Sequence, residues 1–150
     1  MEGQRCPDFT LPATSGKTFA LKEATKPLVV YFYPKDNTPG CTNESMAFRD
    51  LYAEFQAAGA EVVGVSRDGL KSHENFKAKL ELPFELLSDA EETVCNLFDV
   101  MKMKNMYGKQ VRGVERSTFV IAADGNVSRA WRGVKVPGHA EEVLAFVKAL

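Results

Sequence analysis

The sequence predicts an α/β fold: a central mixed sheet flanked by helices, with a β-hairpin at the N-terminus. Three observations carry that expectation. Leu28-Val29-Val30-Tyr31-Phe32-Tyr33 is an unbroken apolar, β-branched and aromatic run, as in a strand buried on both faces. Strand-like and helix-like segments then alternate, which argues a parallel core. Asp124-Gly125 lies between two strand-like runs and reads as a hairpin turn, adding an antiparallel edge.

Each element has its own warrant. Phe9 to Leu11 and Thr18 to Leu21 flank Thr14-Ser15-Gly16-Lys17, a turn signal that closes the first hairpin. After the buried strand, Pro34 to Gly40 is a loop. Phe48, Leu51, Tyr52 and Phe55 then recur at helical spacing up to a stop near Gly59. Glu61 to Ser66 is a second strand. Residues 70–80 read as a helix, with Leu70, Phe76 and Leu80 apolar and His73, Glu74, Lys77 and Lys79 polar. Phe84 to Leu87 is a third strand, and Asp89 to Phe98 a short helix. Residues 101–115 fit no period and are expected to be a loop, in which Met101-Lys102-Met103-Lys104-Asn105-Met106 buries methionines in part and solvates lysines. An apolar rim or a docking surface for a reductase is the other reading of that segment. Ser117 to Ala122 and Val127 to Arg132 are the terminal strands, and Pro137-Gly138 opens a last helix with Val143, Leu144, Phe146 and Val147 on its apolar face.

With 150 residues, 45% hydrophobic and 26% charged, the chain is read as one domain, residues 1–150, large enough to bury a core. A net charge of −1 gives no electrostatic draw toward nucleic acid or an anionic membrane. No apolar run approaches the ~20 residues of a membrane-spanning helix. The first residues lack the apolar stretch of an export signal, so a cytoplasmic, reducing setting is expected. There, three cysteines, Cys6, Cys41 and Cys95, are free thiols that are inert, metal-bound or reactive. His73 and His139 have no metal-ligand spacing to a cysteine or to each other, and no phosphate-binding or dinucleotide fingerprint occurs, so no cofactor or metal is expected.

Cys41 draws the most attention. It follows a loop leaving a buried strand and falls at a helix N-terminus, where unpaired N–H groups and the helix dipole favour an anion. For a cysteine that anion is the thiolate. Thr38, three residues earlier, can point its hydroxyl at the sulfur or a bound oxygen, or can serve as a turn or capping residue. Pro34 and Pro39 stiffen the loop, and Gly40 permits close approach.

Pro34, Thr38 and Cys41 form a Pro-x-x-x-Thr-x-x-Cys string that resembles the active-site motif of peroxiredoxins, thiol peroxidases of thioredoxin-like fold. The longer string Tyr33 to Thr42 resembles the bacterioferritin comigratory protein branch, PrxQ. Cys6 to Leu11, Glu115-Arg116-Ser117-Thr118-Phe119 and Trp131 to His139 resemble its opening, its arginine strand and its closing segment, so the likeness spans nearly the whole chain. The resemblance implies a monomeric, thioredoxin-like enzyme that reduces hydrogen peroxide and organic hydroperoxides. Cys41 would be the nucleophile that becomes sulfenic acid. Thr38 and Arg116 would hold the peroxide and stabilise the departing oxygen. Pro34 would shield the sulfenic acid. An ordinary thiol of pKa ~8.5 is about 3% ionised at pH 7, so ionisation alone gains at most ~30-fold. Orientation and polarisation of the O–O bond must supply the rest.

The likeness breaks at the second thiol. Members of this branch carry a resolving cysteine five residues after the first, where this chain has Met46, or in the next helix, where it has Lys77. A one-cysteine mechanism follows, with glutathione and glutaredoxin, or thioredoxin, as reductant. Cys95, read as a buried small hydrophobe, and Cys6, read as a surface or edge thiol, are the remaining resolving candidates. The alternatives are a thiol–disulfide oxidoreductase, against which Glu44 stands where a Cys-x-x-Cys pair needs its second cysteine, and a redox sensor or chaperone-like binding module.

Overall fold

A computed structural model describes residues 1–150. The central sheet has five strands in the order β5-β4-β3-β8-β9: β3 is Leu28–Phe32, β4 Glu61–Ser66, β5 Leu86–Ser88, β8 Ser117–Ile121 and β9 Val127–Arg132. β3, β4 and β5 run parallel, and β8 and β9 close the other side antiparallel. The mixed sheet expected from the sequence is therefore present. The N-terminal hairpin of β1 (Thr10–Pro12) and β2 (Thr18–Ala20) forms a separate small sheet.

Side-chain alternation along β3 decides what each face covers. Leu28, Val30 and Phe32 point to one side, where Phe9, Leu11, Val94, Cys95 and Phe98 pack on them. Val29, Tyr31 and Tyr33 point to the other, onto the helices α1 (Pro39–Ala57), α2 (Leu70–Leu80) and α4 (His139–Lys148). All five β3 residues are buried, as a strand covered on both faces requires. Gly64 is forced by this packing: it lies opposite Tyr31, and a Cβ there would sit 2.7 Å from the tyrosine ring. The space it leaves lets the Tyr31 hydroxyl share a hydrogen bond of 2.9 Å with Ser45 of α1.

Helix α2 keeps its expected bounds. The third strand is shorter than expected, and α3 covers only Thr93–Leu97. Asp89 is not a helical residue; its carboxylate reaches forward to accept the N–H groups of Val94 and Cys95, satisfying donors at the helix start. Residues 101–115 are not a loop. β6 (Met101–Met106) and β7 (Lys109–Val114) pair antiparallel into a two-stranded ribbon. Its turn is Tyr107-Gly108, both with positive φ (53° and 79°), as a two-residue hairpin turn demands. The signal was in the sequence as Met–Lys alternation ending at Tyr-Gly.

Candidate active site

The strand register places the site. β8 runs antiparallel to β3 and pairs Ser117 with Phe32, so the residue before β8 stands beside the loop that leaves β3. That residue is Arg116, and the loop carries Pro34, Thr38 and, three residues into α1, Cys41. Residues 75 positions apart thus meet: Arg116 Nη2 lies 3.4 Å from Cys41 Sγ. Its other arm, Nη1, donates to Glu44 Oε1 at 2.6 Å. Gly40 makes room, since a Cβ there would come within 3.1 Å of Nη2. The close approach expected at Gly40 is therefore that of a guanidinium.

Thr38 is the N-cap residue and Pro39 the first helical residue, where a missing N–H costs nothing. The N–H groups of Gly40 and Cys41 fall in the first turn and have no intrahelical acceptor. They lie at the positive end of the helix, and the guanidinium of Arg116 lies against the buried Cys41 sulfur. Such an arrangement stabilises negative charge on sulfur or on an oxygen bonded to it. The Thr38 hydroxyl does not point at sulfur here; it donates to Lys35 O at 2.9 Å, the turn role. Pro34, half-buried, opens the same loop.

Glu44 is the residue that spacing did not single out. It is 1% exposed, and its Oε2 has no hydrogen-bond partner in the protein. Burial pushes its carboxyl up to about 7, although Arg116 pulls the other way. Arg116 responds in kind: burial works against its charge, but Glu44 and Cys41 outweigh that and raise its pKa. The signal in the sequence was a glutamate one helical turn after the cysteine, on the same helix face.

The loop itself is tied down by a second polar cluster. Asp36 is buried, accepting from Tyr33 OH at 2.6 Å and from Ser72 Oγ at 2.8 Å, while its own N–H donates to Asp68 at 2.9 Å. His73, a polar residue of α2, is fully buried. Its Nε2 donates to Leu87 O at 2.9 Å, and Nδ1 meets Asp36 Oδ2 at 2.8 Å. Burial raises the Asp36 carboxyl, yet the hydrogen bonds from His73, Tyr33 and Ser72 win and hold it below its ordinary value. Asp36, Asp68 and His73 lie close enough together to suggest a cation site. Their contacts instead form a hydrogen-bonded brace between α2 and the loop. His139 is likewise buried, Nε2 sharing a hydrogen bond of 2.8 Å with Thr118, and burial lowers its pKa to about 4.

All three cysteines are unpaired. Cys6 is buried rather than a surface or edge thiol, because its segment packs against the β8–β9 turn, where Arg5 bridges Asn126 and the Cys6 N–H donates to Gly125 O. Cys6 and Cys95 both belong to the core on one face of the sheet, and Cys41 to the core on the other. Burial pushes the Cys6 thiol up to about 11 and, with Asp89, the Cys95 thiol higher still. Thiols held protonated in this way are poor nucleophiles.

Comparison with known proteins decides the family. The AhpC/TSA family model matches residues 3–130. The chain belongs to the AhpC/TSA family. Peroxiredoxin Bcp of Xanthomonas campestris pv. campestris is 54% identical over 143 residues, 95% of this chain and 89% of that protein. Peroxiredoxin Bcp of Bacillus subtilis is 45% identical over 147 residues, covering 97% and 94%. Among solved structures, one of the Xanthomonas campestris bacterioferritin comigratory protein, described for alkyl peroxide reduction, superposes with a TM-score of 0.92 at 50% identity over 99% of this chain and 98% of that one. The protein is thus a peroxiredoxin of the Bcp/PrxQ type with a thioredoxin-like fold, a thiol-dependent peroxidase that takes a peroxide as oxidant and a thiol as reductant. No helix of this peroxiredoxin is long and apolar enough to cross a membrane.

Proposed function

We propose that Cys41 is the peroxidatic residue of a one-cysteine peroxidase. The Cys41 thiolate attacks the terminal oxygen of ROOH, the O–O bond breaks, and RO⁻ leaves to take up a proton as ROH. Sulfur is oxidised to sulfenic acid and the peroxide is reduced. Arg116 and the N–H groups of the first turn of α1 stabilise charge on the departing oxygen. Thr38, released from Lys35 O, turns its hydroxyl toward the bound peroxide, and Pro34 limits water at the sulfenic acid. One external thiol then displaces water to form a mixed disulfide. A second releases the Cys41 thiol and leaves with the first as a disulfide. Glutathione with glutaredoxin, or thioredoxin, fits that role.

The observation that carries this reading is the 3.4 Å contact of Arg116 with Cys41 Sγ on a sheet face that neither Cys6 nor Cys95 shares. Intact mass after one equivalent of hydrogen peroxide, with a sulfenic-acid trap and peptide mapping, tests it. The expected product is a trapped adduct on Cys41 and no disulfide. A loss of two hydrogens mapped to Cys41 with Cys95 or Cys6 would overturn the one-cysteine mechanism, and a trap adduct on another cysteine would overturn the assignment of Cys41.

A further inference from the structure

The β6–β7 ribbon has no counterpart in the chemistry above, yet it is rooted at the active site. Val114 and Val100 bury its base, Glu115 N–H donates to Val100 O at 2.7 Å, and Arg116 follows two residues after β7. From that base the ribbon pairs with no other strand. Six residues per strand, at about 3.3 Å each, carry its tip roughly 20 Å from the root. The outer part is apolar and exposed: Met103 is 61%, Met106 52% and Tyr107 100% accessible. Methionine and tyrosine in such a position are adaptable, high-contact residues of binding surfaces.

The charge on the ribbon is one-sided. Residues 101–114 hold Lys102, Lys104, Lys109 and Arg112 and no acidic residue, in a chain whose net charge is −1. Lys102 and Arg112 are paired at the base with Asp99 and Glu92. Lys104 donates to Val114 O and lies in the field of both Arg116 and Cys41, and Lys109 has no acidic partner. A partner that fits is acidic, with apolar contact area, and spans the distance from tip to sulfur. A tripeptide thiol reaching Cys41 cannot also touch Tyr107.

We infer that the β6–β7 ribbon is the docking surface for the protein thiol donor that reduces oxidised Cys41, a donor with an acidic and partly apolar rim around its reactive sulfur. This rests on the one-cysteine reading, which requires that thiol to come from outside. Charge attraction steers the encounter, and the tip side chains set its lifetime.

The test is steady-state turnover driven by each of three reductants: a reduced bacterial thioredoxin, a glutaredoxin with glutathione, and dithiothreitol. Wild type is compared with Tyr107→Ser/Lys109→Glu, and Met106→Ser serves as a second, milder variant. For at least one protein donor the double variant should raise KM about tenfold, and added salt should weaken the wild type more than the variant. Turnover with dithiothreitol and sulfenic acid formation at Cys41 should stay within about twofold of wild type, since no tip residue touches the sulfur. An unchanged KM for both protein donors overturns the inference. So does an equal loss with dithiothreitol, or turnover by dithiothreitol when neither protein donor works. If no sulfenic acid forms at Cys41 in wild type, the reading of Cys41 fails first, and the docking role with it.

Discussion

Glu44→Gln separates the electrostatics of the site from its shape. The glutamine keeps an oxygen for Arg116 Nη1 but cannot ionise. In the native protein burial raises the Glu44 carboxyl from 4.5 to about 7, against the pull of Arg116. The side chain is 1% exposed, so solvent screening gives little relief. At ~1.36 kcal/mol per tenfold change in proton affinity, ionising it costs the folded state about 3 kcal/mol relative to the unfolded chain. The native state holds this proton more tightly than the unfolded state does. Stability from this group is therefore complete below about pH 4.5 and is lost as pH rises through about 7. The variant has no such loss. Urea unfolding followed by Trp131 fluorescence, at intervals from pH 4.5 to 8, should show the variant gaining about 3 kcal/mol on wild type across that range. Other titrating groups are common to both and cancel in the difference. Parallel stability curves, or a difference that shrinks with pH, would refute the claim that a buried, underpaired carboxylate sits beside Arg116.

Two further outcomes follow from other contacts. Thr38→Val should lower the single-turnover rate with hydrogen peroxide by about 100-fold, the cost of losing one donor to the reacting oxygens, while thiol titration still counts Cys41; a loss under about threefold would leave Thr38 only its bond to Lys35 O. Lys77→Met should cost about 1–2 kcal/mol in urea unfolding at pH 7, because Lys77 and Glu85 are each four-fifths buried and joined at 2.5 Å. Burial raises the Glu85 carboxyl, but Lys77, Thr14, Ser15 and Lys17 outweigh that and bring it to about 2. The stabilisation is thus present above about pH 4.5 and fades as pH falls toward 2, and equal stability of variant and wild type at pH 7 would sink this estimate.

What could be read in advance was what local pattern and chain order encode. β3 declares itself because every residue in it is apolar, and α1 because Phe48, Leu51, Tyr52 and Phe55 recur at helical spacing. Cys41 at a helix start needed only a strand, a loop with two prolines and an amphipathic run. Of the groups around Cys41, Arg116 is legible only by family likeness, and Glu44 only as a glutamate one helical turn further along the same helix face. Spacing says nothing about two residues 75 apart until β8 is laid antiparallel on β3. The burial of His73 depends on contacts of the same long-range kind. On a helix flanked by Glu74 and Lys77 it looks solvent-facing, and only Asp36 and Leu87 O, brought in by other elements, make burial of an imidazole affordable. The β6–β7 ribbon is marked in the sequence only by the Met–Lys alternation that ends at Tyr107-Gly108, because beyond its base it lays no buried face on the core.

On the proposed one-cysteine reading, the same contacts favour an outside thiol. A resolving cysteine on α2 can reach Cys41 only if α2 and the loop loosen, and such opening draws on weakly held segments. Here α2 is fastened along its length. Near its start, His73 and Ser72 grip Asp36 of the loop. In its middle, Lys77 joins Glu85 and Ser15. At its end, Arg49 of α1 donates to Leu80 O. The position where a resolving cysteine would stand is one of the fastenings. With Cys6 and Cys95 on the far side of a five-stranded sheet, local opening of α2 would bring no thiol to Cys41. Rigidity around Cys41 is therefore free of the conflict that an internal disulfide creates. On that reading the loop keeps Arg116 and Glu44 in place, and the moving part is a separate molecule.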